Sequence, residues 1–222
     1  MSVTLERPPV VQRGNGKVPP PSPPTGGGDD DDRDQTPRRP LLDNLRLAML
    51  FFIGAEAMFF TGLVFAFWVL RLGAPVWPPP LQPRLPLGVT GVNTLVLLGS
   101  SVAMMAAVRA GGQRDRAALV GRLTIAAGLG ALFLVVQGYE WARLIGFGLT
   151  VTSGTYGATF YTIIGVHGAH VLGALVWLTV TLTLAVRGRF AGGRTAPVKA
   201  CAMYWHFVVG LWPLLYLSIY IL

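Results

Sequence analysis

Residues 156–186 read YGATFYTIIGVHGAHVLGALVWLTVTLTLAV, thirty-one residues without one Asp, Glu, Lys or Arg. A helix this apolar on every side belongs in a hydrophobic interior or in lipid. At 1.5 Å per residue it runs well past the ~30 Å of a bilayer's hydrocarbon core. Only the imidazoles of His167 and His170 bring acid–base chemistry near neutral pH into it.

Four more apolar runs flank this one, at 47–70, 87–108, 123–148 and 198–222. Each is long enough to cross a bilayer, and in lipid a continuous apolar run closes its backbone hydrogen bonds only as a helix. One such run is compatible with a buried soluble helix; five with short connections are not. The expected fold is all-α, an integral membrane bundle of five transmembrane helices. The whole chain agrees: of 222 residues, 52% are hydrophobic and only 13% charged, about half the charge of a soluble domain. Its mean hydropathy is +0.54.

The net charge of +8 lies wholly beyond residue 40. Basic side chains precede the first span (Arg38, Arg39, Arg46) and fill the second loop (Arg109, Arg114, Arg116, Arg122) and the fourth (Arg187, Arg189, Arg194, Lys199). The other loops carry few, and the C-terminus carries none. This alternation places the N-terminus in the cytoplasm and the C-terminus outside. It also accounts for the basic balance through a membrane, with no nucleic acid as partner. The first loop holds Pro75, Pro78, Pro79, Pro80, Pro83 and Pro86, so a stiff extended cap is expected, with Trp77 near the outer headgroups.

Residues 1–40 differ in character. They hold nine of the 17 prolines, three consecutive glycines and the run Asp29 to Asp32. Such composition cannot form a core, and without an apolar stretch it is no cleaved secretory signal. The expected organisation is a disordered cytoplasmic tail at 1–40 and a five-helix domain at 41–222.

Polar side chains inside a membrane are costly and each needs a reason. Two acids, Glu56 and Glu140, and all three histidines, His167, His170 and His206, lie within the spans. Counting 1.5 Å per residue, Glu56 sits ~14 Å and His206 ~12 Å from the inner face, with His167 ~17 Å from the outer one. These three share a layer near the midplane, while Gln137 and Glu140 lie nearer the outside. His167 and His170, three residues apart, share a helix side, as do Gln137 and Glu140. Gly165, Ala169 and Gly173 form a small-residue stripe about 130° away, suited to close helix packing. Glu and His at mid-depth read as a proton-linked site centred on Glu56, as a metal site, or as interhelical hydrogen bonds and lipid contacts. Nothing beyond the His-x-x-His spacing marks a metal, so none is expected.

Catalytic signatures are absent. There is no His-Glu-x-x-His, no Gly-x-Ser-x-Gly and no phosphate-binding Gly-Lys-Ser/Thr. A single cysteine, Cys201, excludes a disulfide framework, a thiolate zinc site and an all-cysteine iron–sulfur cluster, and reads as a packing residue. No catalytic residue and no cofactor are assigned to this chain.

Five segments together resemble subunit III of the haem–copper oxidases. They are Gly157-Ala158-Thr159-Phe160-Tyr161 with Gly165-Val166-His167-Gly168-Ala169-His170-Val171; Gly54-Ala55-Glu56-Ala57-Met58-Phe59-Phe60; Trp77-Pro78-Pro79 with Asn93-Thr94 and Ser100-Ser101; Gln137-Gly138-Tyr139-Glu140-Trp141; and Tyr204-Trp205-His206-Phe207-Val208. The resemblance spans about residues 45–222 and is closest to the five-helix bacterial form. That form lacks the two helices which, in seven-helix members, make one wall of a lipid-binding cleft. Val209 stands where the family carries an acid.

The resemblance implies a non-catalytic accessory subunit, most similar to that of cytochrome c oxidase, in the bacterial cytoplasmic membrane. Its partners would be subunit I, which carries haem and copper B, subunit II, and membrane phospholipids. It would stabilise the catalytic subunit through many turnovers and support proton uptake. Glu56 matches the family's carbodiimide-reactive buried carboxylate. Other readings are the subunit III-like protein of a nitric oxide reductase, a quinol oxidase subunit, and an independent proton-coupled carrier. Against the last stands the lack of an internal repeat.

Overall fold

The computed structural model describes residues 44–80, 85, 87–190 and 195–221. Five helices follow one another: α1 (Asn44–Gly73), α2 (Leu87–Gly112), α3 (Arg116–Gly146), α4 (Thr155–Val186) and α5 (Ala196–Tyr216), the last continued by a π-helical turn at Leu217–Ile221. Each is long and apolar enough to cross a membrane, so the chain is an all-α, multi-pass membrane protein. The tail expected at 1–40 lies outside the described residues.

The helix ends show where apolar patterning stops being informative. α3 begins seven residues before the apolar run, because Asp115 caps it: the carboxylate accepts from the Ala118 N–H at 2.9 Å. The early turns carry Arg116 and Arg122, whose charge hides them from a hydropathy reading. Both guanidiniums work within the fold. Arg116 donates to the Val186 carbonyl at the end of α4, and Arg122 donates to the Ala106 carbonyl of α2 at 2.8 Å. Cations near the last turns of α4 and α2 also suit the negative ends of those helices.

α2, α3, α4 and α5 close a ring, with α2 against α3 and α5, and α4 against α3 and α5. α1 lies outside this ring, against α4 and α5. It is the least enclosed helix and α5 the most. On α1 only Met49, Phe60 and Phe67 are buried, a helical spacing that turns one narrow stripe inward. Phe51, Met58, Phe65 and Leu72, seven apart, are 70–78% exposed on the other side.

The described part of the first loop packs onto the bundle. Trp77 is half-buried, its ring 5.7 Å from Phe67 and 5.2 Å from Tyr156. It wedges α1 against the start of α4. Among the described residues the small-residue stripe meets no other helix of this chain. Ala169 and Gly173 are exposed, Gly165 is half-exposed, and a Cβ on either glycine would meet nothing within 4 Å. The close approaches of this bundle are elsewhere. A Cβ on Gly168 would lie 2.9 Å from the Trp141 ring, and one on Gly130 only 2.5 Å from Trp205. Bulky indoles fill the grooves that the glycines leave. Counting small residues finds a smooth surface but not which surface an indole seeks.

Candidate functional site

α1 and α4 bring Glu56 and His170 together. Glu56 Oε2 lies 3.0 Å from His170 Nε2, both side chains mostly shielded. The other ring nitrogen, Nδ1, sits 2.7 Å from the Val166 carbonyl one turn back on α4. A carbonyl only accepts, so Nδ1 is the donor there. Nε2 is thus the ring nitrogen that faces the carboxylate, and the contact is an ion pair when the ring is protonated. The Phe60 ring, 5.1 Å from His170, closes one side edge-on.

The other polar residues take separate partners. His167, three positions before His170, is rotated about 60° around the helix. It is only 1% exposed, stacks on Trp212 at 5.1 Å and meets the edge of Phe60 at 6.2 Å. His206 on α5 contacts Ser101 of α2, Nδ1 to Oγ 2.5 Å. Gln137 donates from Nε2 to the Tyr220 hydroxyl at 3.3 Å. Glu140, 4% exposed, pairs with Arg143 of the next turn at 3.3 Å. The three imidazoles thus face a carboxylate, an indole and a hydroxyl, on different seams.

Several polar contacts between helices have no signal in local spacing. Trp212 Nε1 donates to Thr94 Oγ1 (2.8 Å), Trp205 Nε1 to Ser100 Oγ (3.2 Å), and Tyr216 to the Leu87 carbonyl (2.9 Å). With His206–Ser101 they form an antiparallel ladder between α5 and α2. The partners are more than 100 residues apart, so no local spacing links them. Asn93 adds a bond to α3, Nδ2 to the Phe133 carbonyl at 3.0 Å.

This arrangement is a membrane helix bundle whose polar groups mostly join one helix to another. A family model for cytochrome c oxidase subunit III matches residues 37–222. The chain belongs to the cytochrome c oxidase subunit III family. "Cytochrome c oxidase subunit 3" of Sus scrofa is 36% identical over 184 residues, covering 80% of this chain and 69% of the relative. That of Pongo pygmaeus is 36% identical over 188 residues, covering 82% and 70%. That of Pelomedusa subrufa is 35% identical over 184 residues, covering 80% and 69%. The chain is therefore subunit III of cytochrome c oxidase, and as such works in a complex with other oxidase subunits. The relatives do not favour a nitric oxide reductase protein, a quinol oxidase subunit or a free carrier. The subunit III motifs quoted from the sequence supply both members of the Glu56–His170 pair and most of the α2–α5 ladder.

Proposed function

We propose that this subunit III braces the haem- and copper-bearing subunit I, together with subunit II, and supports proton uptake without doing redox chemistry itself. The observation that carries this reading is the 3.0 Å contact between Glu56 and His170. It ties the outlying α1 to the ring at mid-membrane depth, and a proton shared by the two would leave the pair without net charge. The five-helix form favours a bacterial cytoplasmic membrane, and the basic loops put the N-terminus inside. Phospholipids contact the exposed apolar face of α1. The intramembrane groups Gln137, Glu140, His167 and His206 serve helix pairing in this reading, and Glu56 with His170 the proton-linked role.

The test is Glu56→Gln in the assembled oxidase. An amide keeps the shape and still hydrogen-bonds His170, but it cannot exchange the shared proton. The variant is expected to assemble with a normal haem spectrum and initial turnover within about twofold of wild type, because no reacting atom is touched. Activity is expected to decay faster over successive turnovers. Complete loss of oxygen reduction in a fully assembled variant would overturn the accessory role. Purification of the tagged chain in mild detergent is expected to bring haem absorbance with it; recovery of the chain alone would contradict the bracing role.

A further inference from the structure

α5 is the most enclosed helix of the bundle, yet one stripe of it stays open. Met203, His206, Gly210, Leu214 and Leu217 recur at steps of three or four, so they share a side, and each is exposed or half-exposed. The Ser101–His206 contact joins this stripe to the outer side of α2, where Leu98, Val102 and Met105 are exposed. Lipid covers such aliphatic side chains without cost. His206 is another matter.

The three imidazoles differ in what their nitrogens meet. His170 has partners at both, and both nitrogens of His167 are sealed inside. In His206, Nδ1 is held by Ser101 Oγ at 2.5 Å, while Nε2 has no partner among the described residues and is not sealed inside. The half-exposed ring turns this nitrogen outward. It does so ten residues from Ala196 and fifteen from Ile221, roughly 15 Å and 22 Å along the helix, near mid-depth. Acyl chains offer no hydrogen-bond partner there and water is absent, so an open imidazole nitrogen is costly against lipid. A second protein surface removes that cost.

The chemistry of that surface follows from the ring. A neutral imidazole has one donor and one acceptor. If Ser101 donates to Nδ1, Nε2 is left as donor; if Ser101 accepts, Nε2 is left as acceptor. A hydroxyl or a side-chain amide answers either case, and both are groups by which helices pair in membranes. Gly210, one turn on, supplies the room. It is exposed, and a Cβ there would meet nothing within 4 Å, so its missing side chain serves no contact within the chain. Between His206 and Leu214 it leaves a gap that lets another helix backbone come close. The chain works in a complex with other oxidase subunits, which can provide such a helix. We propose that the α2–α5 face is the contact surface for a transmembrane helix of another oxidase subunit, which packs over Gly210 and presents a hydroxyl or amide to His206 Nε2.

The test places a photoreactive diazirine side chain at Val102 or at Leu214 of the intact oxidase in its native membrane. Adducts are mapped by mass spectrometry. Both positions are expected to join the chain to a membrane-spanning segment of another oxidase subunit. Gly210→Ile, which fills the gap without touching this chain, should abolish those adducts. His206→Asn ends where Nδ1 does, so it reaches Ser101 and not the partner. It should assemble, with the chain leaving the detergent-solubilised oxidase about threefold faster, the weight of one interhelical hydrogen bond. His206→Gln, which extends outward, should be retained about as firmly as wild type. Haem recovered with the tagged chain in mild detergent reports membership of the complex separately, so a wrong face is told apart from a lost complex. Adducts with lipid alone, adducts with a second copy of this chain, or a His206→Asn chain held as firmly as wild type would each overturn the proposal.

Discussion

Gly130 faces the Trp205 indole so closely that a Cβ would lie 2.5 Å from its outer edge. Trp205 is fully buried and tethered to Ser100, so the ring has nowhere to retreat. Gly130→Ala should therefore destabilise the chain by about 1–3 kcal/mol through overpacking, less about 1 kcal/mol regained from helix propensity. Gly128, two residues away, is exposed, and a methyl added there would meet nothing within 4 Å. Gly128→Ala should be neutral or mildly stabilising. Pulse proteolysis across an SDS titration in mixed micelles compares the two. Equal effects would show that the indole contact contributes nothing. Composition alone ranks these glycines alike. Which one meets an indole depends on a helix 75 positions later, and that is why small-residue spacing points to Gly165, Ala169 and Gly173 instead.

The elements are legible to the extent that lipid dictates them. An apolar run must be a helix, so all five helices follow from the chain alone, with α2 and α4 starting within a residue of the expected point. The start of α3 escapes such a reading because capping by Asp115 and the bonds of Arg116 and Arg122 are not written in hydropathy. Pairing between helices is legible only through family motifs. The α2–α5 ladder is the clearest case, since Trp212 looks like any apolar residue until Thr94 is opposite it. Apolar helices gain nothing from hydrophobic burial against each other in lipid, so such bonds carry weight in choosing partners. A double-mutant cycle with Thr94→Val and Trp212→Phe should return a coupling energy of about 0.6 kcal/mol, and no more than about 1.7 kcal/mol. The same proteolysis assay measures it. Additive single effects would mean that the 2.8 Å bond does not help α5 choose α2.

For the whole molecule, an odd number of spans puts the two ends of the bundle on opposite sides of the membrane, and the arginines decide which. The α2–α3 loop is flanked by Arg109, Arg114, Arg116 and Arg122, while the α3–α4 loop has only Arg143 near it. Moving such a cluster across a bilayer is unfavourable, so the proposed orientation puts the former on the cytoplasmic side. Gln113 and Thr152 are exposed in these two loops, and the one native cysteine, Cys201, is buried and gives little background. In intact spheroplasts a membrane-impermeant maleimide should label Thr152→Cys and spare Gln113→Cys, and lysis should make both reactive. The reverse pattern would invert the bundle. Gln137 and Glu140 would then lie in the cytoplasmic half, and Arg116 and Arg122 would have to be explained as helix caps alone.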